Sequence, residues 1–261
     1  MIEIVNADDS RISYYRSLKF TPVLHTENNL FIAEGRRVVE KLLKSNLEIV
    51  SFFATDEFYD IYSSLIKEHN IPEDQQFITS KSLMKEIVGF KIHTGIMAMA
   101  KKPAFVPLTD LSDTIAAVDN VVDAENIGSI IRNTAAFNYD SFLFSNSSAS
   151  PYLRRSVRVS MGTIFNIKVS YTTDFIQTLK ELQSSGYTII SAEINNNSIN
   201  VYDYKIPKKK VIIFGNEANG ISQEVLNISD AVLHIPINEN VPSINVAATS
   251  AVFLNLLQHN I

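Results

Sequence analysis

The sequence has 261 residues, 46% of them apolar, and a formal net charge of −5, which is enough apolar content to pack one large domain or two modest ones. The absence of cysteine excludes a disulfide framework and thiolate metal sites, and His25, His69, His93, His234 and His259 are too scattered to form a ligand cluster, so no metal is expected. The first residues, including Ile4, Asn6, Asp8 and Asp9, lack the basic head and apolar run of an export signal, and no apolar stretch reaches membrane-spanning length, so a cytoplasmic protein is expected.

In the first half, Asp8-Asp9-Ser10 suits the cap of a short helix, and Leu30-Phe31-Ile32-Ala33 is a brief strand leading into Glu34-Gly35. Val38, Val39, Leu42 and Leu43 then recur at helical spacing, and residues 49–54 read as a buried strand. Helices are predicted near 59–69 and 80–88, and strands at 76–78 and 95–100. This alternation argues for a small, layered α/β domain. Between Ala100 and Pro107, two prolines and two lysines mark a linker, which divides the chain into 1–105 and 106–261.

The second half alternates more regularly. Strands are predicted at 114–118, 141–144, 187–192, 211–214 and 231–235, and helices at 128–137, around 153–160, at 175–184 and from Asn245 to Gln258. Several of the strands are continuous apolar runs, the mark of a parallel sheet covered on both faces, and an open α/β sheet follows. Such sheets bind ligands beyond the carboxyl ends of their strands, here the loops after Phe214 and Ile235. Asn195-Asn196-Asn197 reads as an exposed turn.

The negative net charge hides local basic clusters at Arg36-Arg37, at Arg154, Arg155 and Arg158, and at Lys205 and Lys208-Lys209-Lys210. Taken alone such runs are solvated faces more often than nucleic-acid contacts, so charge neither supports nor excludes an RNA partner.

Three segments carry the chemistry: residues 126–132 (Asn-Ile-Gly-Ser-Ile-Ile-Arg), 215–220 (Gly-Asn-Glu-Ala-Asn-Gly) and 241–247 (Val-Pro-Ser-Ile-Asn-Val-Ala). Two of only eight glycines bracket the second, where glycine permits a left-handed turn and lets a flat ligand lie against peptide groups. That segment is neither a dinucleotide fingerprint nor a phosphate loop. Asn245 suits the cap of the last helix, and Ala247, Ala248, Ser250 and Ala251 give that helix a small-residue surface for close packing.

In this order and spacing the three segments resemble the motifs of the SpoU (TrmH-like) branch of the SPOUT RNA methyltransferases, which transfer a methyl group from S-adenosylmethionine to a ribose 2′-hydroxyl. Residues 31–40 and 94–98 also look like the opening and closing signatures of the substrate-binding domain of many such enzymes, a module with a ribosomal-protein-like fold found especially in members directed at ribosomal RNA. The resemblance implies a catalytic domain closed by a deep trefoil knot, a homodimer, and an RNA partner, ribosomal RNA ahead of transfer RNA. It implies a cofactor site at Gly215, Asn216, Ile235, Ile244 and Ala192, and a catalytic group of Arg132, Asn126, Glu217, Ser243 and Asn245.

Arginine stays protonated, so Arg132 is expected to bind the target phosphate and steady the developing alkoxide rather than act as a base. Asn126 is expected to orient that arginine or contact RNA, and Glu217 to hold Arg132 or Asn245 by a charge-assisted hydrogen bond. The sequence departs from the family pattern where Ala218 replaces the glycine of the second motif and Asn240 stands for that of the third; asparagine tolerates a positive φ, so Asn240 is a mild change, whereas Ala218 would narrow the turn and weaken cofactor binding if its position needs one. The alternative reading is a non-enzymatic RNA-binding or ribosome-assembly protein that kept the scaffold. A nucleotide-dependent metabolic enzyme is a weaker third, because the chain has no phosphate-binding fingerprint.

Overall fold

The computed structural model describes residues 1–16, 18, 23–90 and 94–259, and every count and absence below refers to these. His93, among the histidines noted above, lies outside them. In chain order the elements are β1 (Ile2–Glu3), α1 (Val23–Glu27), β2 (Leu30–Glu34), α2 (Arg36–Leu43), β3 (Ile49–Ala54), α3 (Asp56–Glu68), β4 (Gln76–Ile78), α4 (Lys81–Val88) and β5 (Ile96–Lys101). They continue with β6 (Thr114–Val118), α5 (Ala124–Ala136), β7 (Ser141–Ser145), α6 (Arg154–Val159), β8 (Lys168–Thr172), α7 (Phe175–Ser184), β9 (Thr188–Ala192), β10 (Ile199–Asn200), β11 (Lys210–Phe214), α8 (Gln223–Ile228), β12 (Ala231–His234) and α9 (Val246–His259). No described helix is long and apolar enough to cross a membrane.

Packing divides the chain into two units, one of Met1–Pro103 with Tyr152–Phe165 and one of Ala104–Pro151 with Asn166–Ile261. The first carries a five-stranded sheet in the order β1-β4-β3-β5-β2, in which β5 runs antiparallel to both β2 and β3. Asp9 caps a 3₁₀ turn at Ser10–Tyr15, as its side chain suggests, by accepting from the Arg11 amide. Gly35 starts α2 at φ 89°, a left-handed conformation that explains a glycine there.

A cut of the sequence at the linker places residues 152–165 in the second half, yet they pack with the first unit. The reason is a set of specific anchors. Arg154 pairs with Glu34, its Nε donates to the Leu18 carbonyl at 3.1 Å, and its guanidinium lies 4.1 Å over the Phe90 ring. Burial pulls the Arg154 pKa down and the Glu34 carboxylate opposes that pull. Phe31 packs its ring, tilted, against those of Tyr152 and Phe165 from the same segment. Arg154 is thus a packing residue and not part of a surface cluster, and the buried carboxylate of Glu34 is its partner.

The second unit carries a seven-stranded sheet in the order β10-β12-β9-β11-β6-β7-β8, with every pairing parallel. β6, β7, β9 and β11 are almost wholly buried, which accounts for their continuous apolar runs. From β6 the chain moves through α5 to β7 on one side, whereas from β11 it moves through α8 to β12 on the other. The carboxyl ends of these adjacent strands therefore open a crevice at a topological switch point. The helix predicted to begin at Gly128 begins a turn earlier, because Asp123 Oδ1 accepts from the Glu125 amide at 2.7 Å and caps α5.

Replacing Arg154 with Ala leaves the Glu34 carboxylate buried and unpaired, and is expected to destabilise the protein by about 3 kcal/mol in urea unfolding. A loss under about 1 kcal/mol would contradict the anchoring role given to this arginine.

Candidate functional site

At the carboxyl ends of β9, β11 and β12 lies a cleft of about 420 Å³. It is lined by Ala192 and Glu193, the 215–220 loop, Ile235 and Ile237, residues 243–246 and, among others, the apolar side chains of Leu233 and Phe253. All five residues expected to hold a cofactor, Ala192, Gly215, Asn216, Ile235 and Ile244, line it. So do Glu217, Ser243 and Asn245 from the catalytic set.

The 215–220 loop folds back on itself. Asn216 and Gly220 exchange backbone hydrogen bonds of 2.9 Å in both directions, and Asn216 Oδ1 accepts from the Ala218 and Asn219 amides at 2.9 and 3.0 Å. Asn216 Nδ2 donates to the Asn120 carbonyl at 2.7 Å, which ties the loop to the end of β6. The side chain of Asn216 is therefore committed to shaping the wall. Buried Asp119 adds a second tie by accepting from the Ser222 amide at 2.7 Å.

The two glycines divide the work assigned to them jointly. Gly215 is not left-handed, but a Cβ on it would fall 2.5 Å from the backbone of Gly220 and Ile221, so close self-packing of the loop dictates glycine. Gly220 is the left-handed position, at φ 69°, and its missing Cβ leaves room for Glu193 Oε2. Neither Ala218 nor Asn240 takes a positive φ. The two departures from the family pattern are thus accommodated without backbone strain, Asn240 in a turn where its amide donates to Asn238 Oδ1 at 2.9 Å.

A chain of side-chain hydrogen bonds joins the three motifs. Asn126 Nδ2 donates to Glu217 Oε1 at 2.8 Å, and Asn245 Nδ2 donates to Asn126 Oδ1 at 3.2 Å. Asn245 Oδ1 accepts from the Ala247 amide at 2.8 Å, so the cap role expected of Asn245 coexists with its place in the chain. A carboxylate only accepts, which fixes the Asn126 amide with its nitrogen toward Glu217 and its oxygen toward Asn245. Asn126 is 8% exposed, and a buried amide left half-satisfied would be costly.

Glu217 therefore reaches Asn245 only through Asn126, and it makes no bond to Arg132. Arg132 is exposed and has no hydrogen bond or ion pair among the described residues. Because α5 begins before Asn126, Arg132 leaves the same helix about 120° around from it. The next residue, Asn133, is a packing residue whose Nδ2 donates to the Ala247 carbonyl and to Ser250 Oγ, both at 2.9 Å, and so clamps α5 against the small-residue face of α9.

The lysine run at 208–210 is engaged within the protein. Lys210 is 1% exposed, with Nζ donating to the Pro207 and Lys208 carbonyls, Lys208 pairs with Asp113, and Lys209 lies 5.2 Å over the Tyr187 ring. Sequence reasoning missed Glu193 and Asp119. Each stands at the carboxyl end of an apolar strand, a position that in a parallel sheet already points to the ligand crevice.

Residues 113–255 match the model of the SpoU rRNA Methylase family, and the chain belongs to that family of RNA methyltransferases. It is 28% identical over 263 residues to an uncharacterized tRNA/rRNA methyltransferase of Mycobacterium bovis, covering 95% of this chain and 88% of that protein. It is 24% identical over 261 residues to the 23S rRNA (guanosine(2553)-2′-O)-methyltransferase RlmP of Bacillus subtilis, covering 97% and 98%. The crystal structure of an AdoMet-bound rRNA methyltransferase from Sinorhizobium meliloti shares the fold with a TM-score of 0.86 at 18% identity, covering 100% of this chain and 98% of that one.

Gly215→Ala forces a methyl group into the loop backbone. It is expected to cost about 2 kcal/mol of stability and to weaken ligand binding in the cleft at least about tenfold in calorimetric titration, whereas Ala218→Gly should change binding less than about threefold.

Proposed function

We propose that this protein transfers a methyl group from S-adenosylmethionine to a ribose 2′-hydroxyl of RNA, ribosomal RNA rather than transfer RNA, and that it works as a cytoplasmic homodimer. The observation that carries this reading is the Glu217–Asn126–Asn245 chain at the edge of a cleft walled by all the expected cofactor residues. The cofactor fits the cleft on charge as well as shape. Two carboxylates, Glu193 and Glu217, line it with no described lysine or arginine, which suits a cationic sulfonium and disfavours a polyphosphate. That balance also speaks against a nucleotide-dependent metabolic enzyme, and the intact polar chain speaks against a scaffold retained only for binding.

S-adenosylmethionine supplies an electrophilic methyl group when bound. Gly215, Ile235, Ile244 and Ala192 offer backbone and apolar surface to hold it, and Asn216 shapes the wall. Asn126 and Glu217 lock Asn245 at the start of α9, Ser243 presents a hydroxyl on the cleft wall, and Arg132 binds the target phosphate and steadies the alkoxide while the proton leaves to water or a neighbouring group. As part of the same proposal the loops around the cleft form the family's trefoil knot, the first unit is the RNA substrate-binding domain, and α9 contributes to the dimer interface. Support for ribosomal RNA comes from the 23S rRNA enzyme RlmP, whose alignment takes in the first unit as well as the second.

Methyl label incubated with the protein and ribosomal RNA should appear in alkali-resistant dinucleotides, the signature of a blocked 2′-hydroxyl. Label on a base would overturn the ribose assignment. Arg132→Ala should lower turnover at least about 100-fold with cofactor affinity within about threefold of the parent. Arg132→Lys, which keeps the charge and loses the fork, should remain at least about tenfold impaired, and near-full turnover would contradict the role given to this arginine.

A further inference from the structure

Glu193 lines the cleft but has no part in the proposed transfer step itself. Its carboxylate is held in place, with Oε2 accepting from the Ile221 amide at 2.8 Å and Oε1 from the Ile194 amide at 3.1 Å. Gly220 admits it, since any Cβ at that position would collide with Oε2. No ion pair to Glu193 exists among the described residues, and no lysine or arginine lines the cleft beside it. Glu217, the other carboxylate, also accepts two hydrogen bonds, from Asn126 Nδ2 and, at 3.3 Å, from the Asp123 amide, but it is exposed where Glu193 is half-buried, so solvent screens its charge more strongly. Glu193 is thus a fixed, uncompensated negative charge facing the cleft, with its remaining lone pairs free of protein donors.

We infer that Glu193 makes the cleft selective for the sulfonium cofactor over its demethylated product. The inference rests on the cofactor reading above. Transfer breaks the bond from sulfur to methyl, forms one from methyl to the ribose oxygen and releases the hydroxyl proton, so the ligand left in the cleft is a neutral thioether nucleoside with one positive charge fewer. The attraction to Glu193 disappears with that charge. A carboxylate within several ångströms, in the intermediate dielectric of an open cleft, discriminates between the two ligands by roughly three- to tenfold. Glu193 so favours loading of fresh cofactor and departure of spent product, a role distinct from that of the backbone groups that hold the common adenosine portion equally in both.

The test is calorimetric titration of the full chain with S-adenosylmethionine and with S-adenosylhomocysteine. The parent should bind the sulfonium ligand about three- to tenfold more tightly, Glu193→Gln should reduce that ratio to within about twofold, and Glu193→Asp should retain most of it. Raising salt from about 0.05 M to about 0.5 M should compress the parent's ratio, a measurement that needs no variant and so survives a Glu193→Gln protein that fails to fold. Equal weakening of both ligands by Glu193→Gln would reduce Glu193 to a wall-shaping residue and overturn the inference, as would a parent ratio indifferent to salt. Failure of the parent to bind either ligand would instead overturn the cofactor reading on which the inference rests.

Discussion

The Glu217 carboxylate dictates which way round the Asn126 amide lies, and much of the site follows from that constraint. An ionised carboxylate accepts and never donates, so Asn126 turns its nitrogen to Glu217 and its oxygen to Asn245. Asn245 must in turn donate with its nitrogen, which leaves its own oxygen to cap α9. Residues separated by 91 and 119 positions in the chain are set in register by this single donor order. The clamp of Asn133 on Ala247 and Ser250 repeats the connection between α5 and α9 one helical face away, so the first and third motifs are held together twice.

The second constraint is steric. The 215–220 loop packs so tightly on itself that Gly215 cannot carry a side chain, and the left-handed Gly220 yields its side-chain space to Glu193. The tightly packed loop backbone, apolar side chains such as Leu233 and Phe253, and two carboxylates with no lysine or arginine in the lining make a cleft suited to a flat nucleoside bearing positive charge. The sheet supplies the location, because the cleft opens at the carboxyl ends of the neighbouring parallel strands β9, β11 and β12.

Buried strands announce themselves as apolar runs, and the predicted strands at 49–54 and 114–118 coincide with β3 and β6. Elements without that signal escaped. β8 mixes Lys168, Ser170 and exposed Tyr171, β10 has two residues, and α8 is a single short helix, so none presents a period long enough to detect. α5 starts ahead of the predicted Gly128 because its cap is Asp123, whose side chain accepts from the Glu125 amide. The motif residues were legible because their order is distinctive, but their bonding was not. Nothing in the spacing of Asn126, Arg132 and Glu217 reveals that the glutamate grips the asparagine and leaves the arginine free. Nor does a run of arginines reveal that Arg154 is buried on Glu34, since that contact spans 120 positions and depends on how residues 152–165 pack.

The most direct test of the account is a calorimetric titration of the full chain with S-adenosylmethionine beside NAD, an anionic dinucleotide of similar adenosine content. A cleft with two carboxylates and no cation predicts saturable binding of one S-adenosylmethionine per chain and no binding of NAD. Binding of NAD in preference to S-adenosylmethionine would contradict both the charge argument and the methyl-transfer function built on it.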